Sequence, residues 1–310
     1  MSNIIEKIRD FFRVEYLLNK AINDPNSEIQ KQLKSINSRI VAEKLKSFAV
    51  HSNEPGVSSE RLCDHEVVVS LTSYGQRIHE VWLTIESIMQ GTVLPNHIVL
   101  WLGENEKNNI LPVALQRQQK RGLEIMYCED IRSYKKLIPS LRKYPEACII
   151  TIDDDLIYEP DIIENLINSY IEFPNAVSAC RIHKIKTAHG GKVCPYMSWE
   201  HFKFYSKPSF ENFLTSGGGT LFPPNSFSDE VFNKDVFMDI CRYADDVWFQ
   251  AMLILNGTKV KKAFTHSAKG QDYITHDSEY DEGLFSINIT HNDEQIRAVF
   301  DKYNLYEKLR

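Results

Sequence analysis

At 310 residues, with 43% hydrophobic and 25% charged residues, the chain has the composition of an ordinary globular protein, enough for one large α/β domain or two smaller ones. A net charge of −6 and the lack of a basic stripe with interleaved aromatics argue against a nucleic-acid partner. No apolar run is long enough to span a bilayer and the N-terminus lacks the apolar block of a secretory signal, so the sequence predicts a cytoplasmic protein.

Residues 1–50 carry helical periodicity, with Ile4, Ile5, Ile8, Phe11, Phe12, Val14, Leu17 and Leu18 on one apolar stripe. Such a stripe packs on the body or on a partner subunit, or lies on a membrane surface. Its mixed charges (Glu6, Lys7, Arg9, Asp10, Arg13, Glu15) favour packing, since surface-binding helices carry a mainly basic polar face. Residues 51–60 are polar, contain Pro55-Gly56 and read as a linker. The expected organisation is a helical segment and linker over residues 1–60, followed by a domain over 61–310.

From residue 66 onward, strands alternate with helices. Residues 66–72, 97–102 and 123–128 read as strands, and 78–90, 112–121 and 134–143 as helices. A fourth strand runs from Cys148 through Ile152 into Asp153, Asp154 and Asp155, followed by a helix opened by Pro160. This alternation predicts a mostly parallel sheet with helices on both faces. The six cysteines are scattered with no C-x-x-C pair, and several lie in apolar strand-like runs, so they read as reduced core thiols rather than as a zinc or disulfide framework.

Four clusters carry chemistry. Three carboxylates at the carboxyl end of a buried strand repel one another, and a divalent cation carrying a substrate phosphate would relieve that repulsion. The first strand ends in Thr72, Ser73, Tyr74, Gly75, Gln76 and Arg77. There Tyr74 could stack on a base, Thr72 and Ser73 could bond it, and Arg77 could face a phosphate. Asp130 after the third strand and a lysine near the next helix start could bracket a nucleotide. Downstream, Gly217, Gly218 and Gly219 allow close backbone approach to a ligand, and Asp245-Asp246 opens an apolar helix.

Taken in order, the segments SLTSYGQRI, SYKKLIPSL, TIDDDLIY, SGGGT, ADDVWF and NDEQIRAVFDKY resemble the GT-A class of nucleotide-sugar glycosyltransferases. The likeness is greatest to family 2-like bacterial enzymes that build capsular or other surface polysaccharides, and it covers residues 65–305. It implies a Rossmann-like GT-A fold, with Asp153 and Asp155 as a D-x-D pair holding Mn²⁺ or Mg²⁺ against the donor diphosphate. Thr72, Ser73, Tyr74, Arg77, Asp130, Lys136, Asp153, Asp154 and Gly218 would then contact the nucleotide sugar. Asp245 and Asp246 stand where inverting members carry Glu-Asp, whose second acid is the catalytic base. A late histidine often completes the metal shell, and His266, His276 and His291 compete for that place. A UDP-sugar is the commonest donor in this class. The acceptor it implies is a saccharide or a lipid-linked oligosaccharide met at the inner face of the cell membrane.

The chemistry agrees with the residue types. A metal neutralises the leaving diphosphate, and a carboxylate makes the acceptor hydroxyl nucleophilic. Two other readings use the same residues: a haloacid-dehalogenase-like phosphohydrolase, whose nucleophile strand usually opens its domain, and a catalytically silent nucleotide- or sugar-binding assembly protein.

Overall fold

A computed structural model describes residues 27–189, 191–201, 207–267, 270–276 and 284–309. The N-terminal apolar stripe at residues 4–18 lies outside the described residues. The chain divides into two compact units between Phe48 and Ala49. Helix α1 (Glu28–His51) begins in the first unit, and the sheet and every candidate site residue belong to the second.

β-Branched runs make the first strands. β1 (Val67–Thr72), β2 (His97–Gly103) and β4 (Cys148–Thr151) are nearly all buried, the edge strand β3 (Leu123–Cys128) is half-buried, and the four pair in parallel in the order β3-β2-β1-β4. The sheet continues through β10 (Thr220–Phe222), β6 (Ala176–Ala179) and β11 (Lys259–Lys262), giving seven strands of which β10 alone runs antiparallel. β5 (Leu156–Tyr158) pairs with β12 (Tyr273–Thr275). A small sheet holds β7 (Ile182–Lys184), β8 (Glu200–His201) and β9 (Asn212–Leu214).

Alternate strand residues feed two cores. Val67, Val69, Leu71, Ile98 and Leu100 face one core with α2 (Val81–Met89), α3 (Val113–Gln119) and α5 (Ile162–Glu172). Val68, Val99 and Ile149 face the other with α4 (Ile138–Lys143), α6 (Lys234–Ile240), α7 (Asp245–Asn256) and α8 (Leu284–Tyr303). The expected α/β class, a mostly parallel sheet with helices on both faces and a helix before it, is the one observed.

Two expected helices break. Instead of one helix over 78–90, a 3-10 turn at Gly75–His79 precedes α2. Instead of one over 134–143, a 3-10 turn at Arg132–Lys136 precedes α4, because Pro139 lacks an N–H and fits only the first turn of a new helix. The second break aims Lys135 and Lys136 in different directions, one to Asp130 and the other to Asp153.

Helix α2 is anchored by a buried ion pair. Glu86, wholly buried, accepts from Arg121 Nη1 at 2.9 and 2.8 Å, from Gln118 Nε2 at 2.9 Å and from Gln90 Nε2 at 2.8 Å. Arg121→Met would leave that carboxylate without its cation and should cost about 3–5 kcal/mol in a denaturant titration. A loss below about 1 kcal/mol would show that the two glutamines suffice.

Candidate active site

The chain lays down β1, β2 and β3 outward to one side and then returns to place β4 on the other side of β1. Open α/β sheets bind ligands at such a reversal, beyond the carboxyl ends of the strands. Residues 72–77 leave β1 here, and residues 153–155 follow β4. Because β10 is antiparallel, its start lies at the same edge, with Thr220 opposite Thr151. The turn at Ser216–Gly218 is thereby brought against the acidic loop. A Cβ added to Gly217 would lie 1.8 Å from Asp153 Oδ2, so a side chain there would displace the carboxylate that Lys136 holds. Gly218, the position expected at the donor, instead has its α-carbon turned to Arg181, whose Cβ would lie 2.7 Å from an added Cβ.

The three consecutive aspartates have different surroundings. Asp154 is buried and accepts from Ser73 Oγ at 2.6 Å and Arg77 Nη1 at 2.9 Å, so it ties the β1 turn to the β4 loop. Burial pushes its carboxyl up, and Arg77 opposes the shift. Asp155 lies 3.1 Å from the same guanidinium nitrogen, and its carboxyl is pushed up to about 6 by burial and by Asp153 and Asp154. Asp153 accepts from Lys136 Nζ at 2.9 Å. Tyr158 donates its hydroxyl to the Gly217 carbonyl and accepts from the Asp153 N–H at 2.9 Å, clamping loop to turn.

Lys136 joins this cluster to the second acid pair. Its ammonium, nearly inaccessible to solvent, also stands 3.2 Å from Asp245 Oδ2. Burial works against its charge, yet Asp153, Asp245 and Asp246 together hold it protonated well above the ordinary lysine range. Its backbone is fixed from below, where Ser70 Oγ donates to the Lys136 carbonyl at 2.6 Å and lies 2.7 Å from Ser140 Oγ. Asp246, in the first turn of α7, accepts from the Ser216 N–H at 3.0 Å and from Ser216 Oγ, both through Oδ1. Burial and Asp245 push its carboxyl up to about 6, against Lys136 and Ser216.

The remaining predicted residues separate. Thr72 Oγ1 donates to the Trp101 carbonyl at 2.8 Å, so its hydroxyl serves the sheet. The Tyr74 ring is exposed and lies 5.8 Å from the Arg77 guanidinium, which suits a stacking surface. Asp130 pairs with Lys135, which holds its carboxyl below the usual range, and not with Lys136. Of the three histidines, His276 is tied to the acidic loop. Its N–H donates to the Asp155 carbonyl at 3.0 Å, and Nε2 lies 3.2 Å from Thr84 Oγ1, which itself donates to the Asp154 carbonyl. Burial and Arg77 push its ring down to about 4, so it is neutral. His266 pairs with Asp161, and His291 with Glu294 on its own helix.

Among the described residues no three His, Cys, Asp or Glu side chains converge as a metal cage. A hard dication arriving with phosphate oxygens needs only one or two carboxylates. Asp153 and Asp155, which already repel one another, fit a metal of that kind.

No protein-family model matches the chain, and no curated protein does. Among solved structures it is similar to a mannosyltransferase from Pyrobaculum calidifontis in complex with GDP-Man and Mn²⁺, with TM-score 0.48 and 11% identity over 90% of this chain and 78% of that one. It is also similar to TarS (residues 1–349) from S. aureus in complex with UDP-GlcNAc, with TM-score 0.49 and 12% identity over 78% of this chain and 66% of that one. A third is a 4-diphosphocytidyl-2C-methyl-D-erythritol synthase from Anaerococcus prevotii, with TM-score 0.43 and 11% identity over 76% of this chain and all of that one.

Among the residues that shape the site, Tyr158 carries no signal in the sequence, and Ser216 is marked only by its place beside the glycine cluster of SGGGT. In Lys136→Met the nearby cation is gone, so the Asp246 carboxyl should titrate above its present value of about 6 by carbon-detected NMR. An unchanged or lower midpoint in a folded variant would remove Lys136 from the site's electrostatics.

Proposed function

We propose that the protein is a metal-dependent glycosyltransferase that moves a sugar from a nucleoside diphosphate to a hydroxyl of a saccharide or lipid-linked oligosaccharide. The observation that carries this reading is the pairing of two acid clusters across one cleft, an acidic loop at the sheet's reversal point and an acid at the start of α7, held together by Lys136. Residues 61–310 would form the catalytic domain, with residues 1–60 as a preceding helical segment. We place the protein in the cytoplasm, where a lipid-linked acceptor would be met at the membrane's inner face. A role in surface polysaccharide synthesis belongs to this same reading.

In the donor half, the exposed Tyr74 ring would take the base, with Asp130 beside it. Arg77 and Lys136 would face the diphosphate, while Asp154, satisfied by Ser73 and Arg77, would fix the floor. Asp153 and Asp155 would hold Mn²⁺ or Mg²⁺, with His276 the histidine tied to their loop. The metal, when bound, supplies positive charge to the departing diphosphate.

In the acceptor half, Asp246 would be the general base. Ser216 fixes Oδ1, so Oδ2 would take the proton as the acceptor oxygen attacks the anomeric carbon from the face opposite the diphosphate, which gives inversion. Asp245 would position Lys136 and so balance both clusters. A carboxyl raised to about 6 can receive a proton more readily than an ordinary aspartate and is still ionised at neutral pH.

Incubation with UDP-, GDP- and other nucleotide sugars plus Mn²⁺ or Mg²⁺ should release a nucleoside diphosphate from one donor, and EDTA should abolish the release. Phosphate release from small phosphoesters would favour a phosphohydrolase, and binding without turnover a silent module. Asp246→Asn should lower kcat by ~10²–10⁴-fold with donor affinity nearly unchanged. The base must be deprotonated to act, so kcat/KM should rise with pH through about 6 and level off above it. A flat profile from pH 5 to 8 would argue against Asp246.

A further inference from the structure

At the end of β4 opposite the acidic loop, two thiols meet. Cys148 opens β4, where its N–H donates to the Glu66 carbonyl at 2.8 Å and it stands opposite Val67 of β1. Cys63 lies on the segment that leads into β1, half-buried against the core that includes Cys148. That segment is held in place. Asn96 Nδ2 donates to the Ser58 and Glu60 carbonyls at 2.9 and 3.0 Å, and Asn96 Oδ1 accepts from the Val67 N–H at 2.8 Å.

The sulfurs belong to a short hydrogen-bonded chain. The Tyr170 hydroxyl bonds Cys148, Cys148 bonds Cys63, and Cys63 Sγ donates to the His65 carbonyl at 3.4 Å. The two cysteines are unlike. Cys148 is wholly buried, and the neighbouring Cys63 sulfur and burial keep it protonated. Cys63 reaches solvent, and the Cys148 hydrogen bond together with His65 holds its thiol below the ordinary range, against burial and Asp64. Burial moves the thiols of Cys128, Cys180 and Cys241 the other way. A thiolate within reach of solvent beside a buried second thiol is the arrangement of an oxidant-sensitive pair, one sulfur to be oxidised and one to resolve it. Neither sulfur takes part in the acid clusters of the candidate active site.

We propose that Cys63 and Cys148 form a reversible redox site, at which a hydroperoxide drives a disulfide between them. The Cys63 thiolate attacks one peroxide oxygen and the O–O bond breaks. Cys63 becomes a sulfenic acid, and the other oxygen leaves as hydroxide or alkoxide and takes up the proton that the thiol released. The Cys148 sulfur then attacks Cys63 Sγ, and the departing hydroxide leaves with the Cys148 proton as water. The two sulfurs have lost two electrons, and the peroxide has gained them. The new bond ties the segment before β1 to the strand that carries the acidic loop. In a reducing compartment it lasts until a thiol reductant reopens it.

The full chain treated with hydrogen peroxide should yield a Cys63–Cys148 linked peptide by non-reducing mass spectrometry, lighter by two hydrogens than the thiol pair, and dithiothreitol should restore both thiols. In Cys63→Ser the cross-link should vanish and Cys148 should stay reduced. In Cys148→Ala the reaction should stop at the sulfenic acid, which dimedone traps on Cys63. Before oxidation, iodoacetamide at pH 7 should label Cys63 ~10-fold faster than Cys128, whose thiol burial pushes up to about 11. Conversion of Cys63 to a sulfinic acid with no cross-link, a disulfide that joins other cysteines instead, or labelling of Cys63 no faster than of Cys128 would overturn the proposal. All three of these readings come from the unmodified protein, so they hold even if a variant fails to fold.

Discussion

A single buried ammonium holds the site together. Lys136 touches Asp153 on one side and Asp245 on the other, and Asp246 lies within its field. Without it, carboxylates from the β4 loop and from the start of α7 would face each other in a poorly solvated cleft and repel. With it, two acid clusters from chain segments far apart in sequence can share one site. The charge is affordable inside the protein because it is shared, which is the condition for burying any ion. The adjacent lysine does something different. In a 3-10 turn successive side chains point about 120° apart, so Lys135 turns away to Asp130 while Lys136 turns inward.

The sheet makes this convergence possible. Parallel strands put the ends of β1 and β4 at one edge, and the reversal of strand order leaves a crevice between their loops. The antiparallel β10 brings the beginning of a strand to that edge, and with it the glycine turn. Ser216 and Gly217 are neighbours in this turn and serve opposite halves of the cleft. Ser216 holds Asp246, and Gly217 makes room for Asp153. A small shift of the turn would therefore reach both halves at once, and Tyr158 restrains it by bonding Gly217 and the Asp153 backbone together.

The first half of this fold was legible because β1 to β4 are apolar, β-branched runs separated by turn residues. The second half was not. Strands β5 to β9 and β12 are two to four residues long, too short for a period to show. That is why sequence left His266, His276 and His291 open, whereas the pairing of β12 with β5 carries His276 to the Asp155 carbonyl. Residue type identified the acids but not their division of labour. Asp154 resembles its neighbours in sequence, yet burial against Ser73 and Arg77 makes it a strut. The choice between Gly217 and Gly218 likewise depends on which α-carbon faces Asp153, which no composition reveals.

The most direct measurement is anomalous diffraction from crystals grown with Mn²⁺ and a nucleoside diphosphate, UDP and GDP tried in parallel. The account predicts one anomalous peak in contact with the Asp153 or Asp155 carboxylate, bridged to the diphosphate, with the base against Tyr74. A diphosphate bound away from the β1–β4 crevice, or Mn²⁺ found only on the surface while the nucleotide is in place, would contradict it.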